Sequence, residues 1–157
     1  MVDIRELLEY NKQVRRRYLQ TMSRIPWEDL ISNREVSFNS IRNVFIHTLK
    51  AIDHWLDFLQ KEHNYTAKPY DKYENMAEIH QYVEYVERRM QKYLYSLSTS
   101  KLNTKYVLRN DLNEKIEVVA EDILIHLFEE EIHHRGELIA LFWQMNIKPP
   151  LMGWKYL

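Results

Sequence analysis

The proline-free run from Glu121 to Met145, EDILIHLFEEEIHHRGELIALFWQM, constrains this chain more than any other stretch. It is the longest apolar-periodic segment, and its only regular solution is one long helix. The run also holds three of the chain's seven histidines. His126, Glu130 and His134 follow one another at i+4 steps and so share a helix face. Each step rises about 6 Å, which puts His126 and His134 about 12 Å apart, too far to bind one ion together. Either His126 with Glu130 or Glu130 with His134 has the spacing that a helix offers a divalent metal.

Glycine and proline are scarce, at two and four residues, which favours long helices over a fold of many tight turns. The 157 residues are enough for one domain, 1–157, with a buried core. Twenty-two Lys and Arg against 23 Asp and Glu leave no field that would draw in nucleic acid or an anionic membrane. With no cysteine, disulfides, thiolate metal sites and a cysteine nucleophile are excluded, so a metal must be held by imidazole and oxygen. The charged opening lacks the apolar core of a signal peptide, and no run is long enough to span a bilayer. The expectation is a soluble, cytoplasmic protein.

A helical stripe runs from Ile4 to Met22, interrupted by Arg15, Arg16 and Arg17, which read as a solvated face. Pro26 opens a connector that ends near Ser37-Phe38-Asn39-Ser40, with Asn39 or Ser40 as the N-cap of a second helix from Ile41 to about Lys61. His47 and His54 lie one heptad apart at the edge of that helix's apolar arc. A loop with Pro69 leads to a third helix, Met76 to about Leu97, with His80 at the surface. Lys105–Arg109 and Lys115–Val119 read as a small β-hairpin. The fourth helix begins near Ala120 and stops around Asn146, before Pro149-Pro150. Trp154 and Tyr156 make the tail too apolar for a free end. Mid-helix Gly136 points to a close helix or backbone approach, because glycine there costs about 1 kcal/mol against alanine. The fold class is all-α: a four-helix up-and-down bundle with a small β-hairpin excursion before the last helix.

In such a bundle, a His on one helix can join an i, i+4 pair on another. His47, Glu130 and His134 would supply three ligands and leave positions open for water or substrate, as catalytic metal sites do. Imidazole with carboxylate suits Zn, Ni, Fe or Mn. The same spacing also serves plain helix-stabilising pairs, and Glu129 to Glu131 with His133 and His134 would then be a solvated face. His133 points about 100° away from His134.

HLFEEEIHHRGELIALFWQMNIKPP resembles the signature of the DinB/YfiT-like superfamily, a helix of the form H-x-x-N-H-x-x-x-H-R-G-Q followed by proline. SFNSIRNVFIHTLKAIDHWL looks like that family's second helix, whose metal-binding His stands eight residues before an aromatic. The resemblance implies a four-helix bundle, often a homodimer, holding a divalent ion on a His triad. Carried over by position, the ligands are His47 and His134, with Glu130 where the family has its remaining His. Glu129 replaces the family's Asn and Glu137 its Gln. By analogy with members that use low-molecular-weight thiols, the implied activity is a thiol-dependent S-transferase acting on a small-molecule substrate. Its cofactor would be a divalent ion, Zn or Ni ahead of Fe or Mn, with Glu129 or Glu137 as base. A metal-dependent hydrolase and a non-catalytic metal- or small-molecule-binding dimer are the alternatives. Neither nucleic acid nor membrane is an expected partner.

Overall fold

The structure, a computed structural model, describes residues 3–110 and 112–153. Four long helices carry the fold: α1 (Ile4–Met22), α3 (Ile41–Gln60), α4 (Met76–Tyr95) and α6 (Ala120–Gln144). Their starts are set by side chains that satisfy orphan amides. The Asp3 carboxylate accepts from the Arg5 amide at 2.9 Å, Ser40 Oγ from Asn43 at 3.2 Å and Asn75 from Glu78 at 3.0 Å. At α6 the Asp122 carboxylate reaches back to the Val119 amide at 2.8 Å. Lys61 closes α3 in the left-handed region, at φ 55°. Ser40 is buried and begins the helix that carries His47, so Ser40→Ala should cost about 1 kcal/mol, read as a lowered urea midpoint.

Two short helices lie in segments expected to be irregular: α2 (Trp27–Ile31), entered through Pro26, and α5 (Thr99–Leu102), capped by Ser98. Both are too short to show a hydrophobic period. The hairpin is present as β1 (Lys105–Arg109) and β2 (Lys115–Val119), antiparallel with Lys105 opposite Val119 and Arg109 opposite Lys115. It is tied to α3 through Tyr106, whose hydroxyl donates to the Leu59 carbonyl at 3.1 Å. Among the described residues no helix is long and apolar enough to cross a membrane.

The all-α class holds, but the helix directions do not alternate. Antiparallel packing of α3 on α6 follows from Ser37 meeting Glu137, His47 meeting Glu130, and Trp55 meeting His126. Contacts of Asn11 with Phe128, Arg15 with Glu131 and Tyr18 with Phe142 run α1 parallel to α6. Arg5 reaches the Leu97 carbonyl and Ser23 reaches His80, so α1 and α4 are antiparallel. The order is therefore up-down-down-up. The long connectors 23–40 and 61–75 permit this, whereas short loops would have forced antiparallel neighbours.

Within the arginine triplet Arg15 departs from a solvated face, whereas Arg16 is exposed and Arg17 only partly buried. Arg15 is buried in the bundle, with Nε 2.7 Å and Nη2 2.8 Å from the two Glu131 carboxylate oxygens and Nη1 3.3 Å from Glu87. Arg16 forks onto the other Glu87 oxygen at 3.0 and 2.7 Å. Glu87 and Glu131 are each 5 % exposed, so a desolvated ionic cluster ties α1 to α4 and α6. Beside it the Arg135 guanidinium donates to Asn11 Oδ1 at 2.8 Å, and the Asn11 amide donates to the Phe128 carbonyl at 3.1 Å. His80 lies at the surface, partly buried, with Ser23 Oγ 3.1 Å from its Nε2. Gly136 is also not where a close approach occurs among the described residues: a Cβ there would meet none of them within 4 Å. Trp154 and Tyr156 lie outside the described residues.

Candidate metal centre

Antiparallel α3 and α6 bring His47 across from the i, i+4 pair on α6. Both imidazoles converge on one oxygen: His47 Nε2 is 2.8 Å and His134 Nε2 3.1 Å from Glu130 Oε1. One donor atom from each of the three residues lies within 4.8 Å of the others, which makes them a possible metal-holding group.

Each imidazole is held from its far side. Glu137 Oε2 is 2.6 Å from His134 Nδ1. Glu137 is in turn fixed by Ser37, whose amide and hydroxyl donate to its two oxygens at 3.3 and 2.9 Å. The Tyr70 oxygen lies 3.4 Å from His47 Nδ1, and Lys50 Nζ sits 3.7 Å above the Tyr70 ring. The Phe38 ring stacks on His47 at 3.9 Å and meets His134 edge-on at 5.3 Å, closing one side of the group.

Electrostatics favour a donor set ready for a cation. Burial pushes the Glu130 carboxyl up, but the His47 hydrogen bond and the nearby His134 outweigh it and leave Glu130 below the usual range. For Glu137, burial is likewise overcome by the bonds from His134 and Ser37. Burial lowers His47, and the bond to Glu130 offsets this only in part, so its imidazole is held towards the neutral form that a metal requires. An ionised Glu137 can only accept, so His134 Nδ1 carries a proton. The other ring nitrogen of His134, Nε2, faces the Glu130 oxygen. Far-side support of this kind, carboxylate to imidazole to metal, is usual at metal sites. The residues fit a divalent ion.

The other sequence candidates scatter. Glu129 is exposed on an open recess of about 520 Å³ that it shares with His126, Glu130, Ile132 and His133. Glu131, two residues on, faces the opposite way into the Arg15 cluster. His126 is exposed, with its ring 5.8 Å from that of Trp55, and His54 contacts Trp55 and Tyr65. His133 is exposed and outside the group, although its ring lies 4.9 Å from that of His134. Ser37, Phe38 and Tyr70 had no periodic signal. The only sequence clue was position: Ser37 and Phe38 lie in the connector just before the helix of His47, and Tyr70 in the one just after it.

The model of the DinB family matches residues 1–155. Among solved structures, the crystal structure of a DinB-like protein, YjoA from Bacillus subtilis, is similar, with a TM-score of 0.67 at 14% identity. The alignment covers 93% of this chain and 96% of that one, so the likeness is one of fold. No curated protein sequence matches.

Proposed function

The chain belongs to the DinB family, and from that premise we propose that it is a divalent-metal-dependent enzyme whose ion is held by His47, Glu130 and His134. The observation that carries the proposal is the convergence of two imidazole Nε2 atoms on one carboxylate oxygen, with each ring supported from behind. An ion bound there would lower the pKa of a coordinated thiol or water and favour its attacking anion. With a low-molecular-weight thiol the activity is an S-transferase, and Zn or Ni suits the ligand set ahead of Fe or Mn.

The chain's own residues divide the remaining work. Glu130 contributes one negative charge, which reduces the net charge of a divalent centre. Glu137 positions His134 and, being committed to that ring and to Ser37, is poorly placed to act as a free base. Glu129, open to the recess beside Glu130, is the residue available to take a proton from an incoming thiol or water. Phe38 keeps water from the far side of both imidazoles. The test is consumption of a reactive electrophile by metal-loaded protein, with and without added thiol. Thiol-dependent turnover that disappears in His47→Ala supports a transferase. Metal-dependent turnover without thiol points to a hydrolase, and metal binding with no turnover points to a binding protein.

Glu137→Gln should weaken metal binding about ten- to a hundredfold, because loss of such an outer partner frees the ring and lowers its basicity. Chelator competition reads this directly. Ser37→Ala, which leaves Glu137 in place, should have the smaller effect.

A further inference from the structure

We propose that the trough between α3, the 61–75 connector and α4 binds a linear aliphatic polyamine, with the chain's own Lys68 standing where one ammonium group of the ligand would lie. Two recesses, of about 260 and 470 Å³, share Asp53, Thr66 and Tyr85 and so form one trough. Asp57 builds one wall: its Oδ1 accepts from the Asn64 and Tyr65 amides at 2.8 and 2.9 Å, which fastens the connector to the end of α3. Along the other wall, about 16 Å of α4 separates Glu78 from Arg89. None of the residues that line the trough belongs to the metal group.

The lining suits an organic cation. The Tyr82 ring lies 5.4 Å from Tyr73 and 6.3 Å from Tyr85, so the three make a row. Cations already sit on it, with Lys68 Nζ 4.4 Å from the centre of Tyr73 and the Arg89 guanidinium 5.7 Å from that of Tyr85. Glu78 stands at one end and Glu62 at the other, with Asp53 and Asp57 between them. Four carboxylates thus face two basic side chains, and the surplus negative charge attracts cations. Aromatic faces hold ammonium groups and methylene runs alike, whereas an inorganic ion would use the carboxylates alone. Several ammonium groups on short methylene spacers match both the row of rings and its length.

The two basic residues differ in how firmly they are held. The Arg89 guanidinium binds the Asp53 and Glu62 carboxylates, and the Tyr82 hydroxyl donates to the second Asp53 oxygen at 3.1 Å. Lys68 is exchangeable: its side chain is 47 % exposed, and an exposed pair such as its 3.3 Å contact with Glu78 contributes little in water. An incoming ammonium group can take its place between the Tyr73 ring and Glu78 while Lys68 turns out to solvent. A monoamine gains nothing over Lys68 by this exchange. A polyamine adds contacts at Tyr85 and Glu62, which makes the trough selective for ligands with more than one cation.

Isothermal titration of the full chain with spermine tests the proposal. The parent should bind about one spermine per chain, and butylamine, with its single ammonium group, should not saturate. Lys68→Ala removes the internal competitor and should tighten spermine binding about two- to fivefold, the worth of one exposed cation–π contact. Tyr85→Leu should weaken it by a similar factor, and Glu62→Gln/Glu78→Gln by more. Lys68, Tyr85 and Glu62 are exposed and Glu78 is only partly buried, so these variants should stay folded, as circular dichroism checks. Failure of spermine to saturate at millimolar concentration in both the parent and Lys68→Ala would overturn the proposal. So would an affinity that none of the substitutions changes, or displacement of spermine by magnesium at equal charge, since either would mark a diffuse counterion.

Discussion

Arg15→Met is expected to lose about 3–5 kcal/mol of stability, the usual cost of removing one partner from a buried ion pair. The substitution leaves the Glu131 carboxylate without its two Arg15 bonds in a position only 5 % exposed. Glu87 is spared the same fate because Arg16 still reaches it. Arg15→Met/Glu131→Leu removes both charges and should recover most of the loss, since a packed apolar pair often equals a buried ionic one. Urea midpoints of the three proteins at neutral pH check the loss and its recovery. A single variant as stable as the parent would mean that the cluster contributes nothing to holding α1 on the bundle.

His134→Ala should reduce divalent-metal affinity by several orders of magnitude. It removes one of three ligands, and it also releases Glu137 and Ser37 from the ring they orient. Because His134 is buried against Phe38 and His47, the variant also loses packing, and circular dichroism must first show that it is folded. Glu130→Gln is the gentler companion: it keeps size and shape but removes the charge on which both imidazoles converge. Isothermal titration with Zn and Ni reads both variants.

The helices were legible because their periods and caps are local. Ser40 as a cap, Lys61 as a terminator and the two strands all follow from residues a few positions apart. The pairing of Glu130 with His134 was equally local, and His47 joined it through the family pattern. What escaped the sequence depends on distant partners. Arg15 looks solvated until Glu87 and Glu131, 72 and 116 residues away, close round it. Helix direction was illegible because the long connectors allow more than one route. Ser37, Phe38 and Tyr70 reach the metal group from those same connectors, where no period marks a side chain's orientation. Gly136 was recognised as costly, but the close approach expected there is not found among the described residues.

The most direct test is elemental analysis of protein purified without added metal, alongside His47→Ala and Glu130→Ala prepared identically. The account predicts about one Zn, Ni, Fe or Mn per chain in the parent, lost from both variants while each stays folded. A folded parent that carries no metal and takes none up on reconstitution, or an ion retained by both variants, would contradict it.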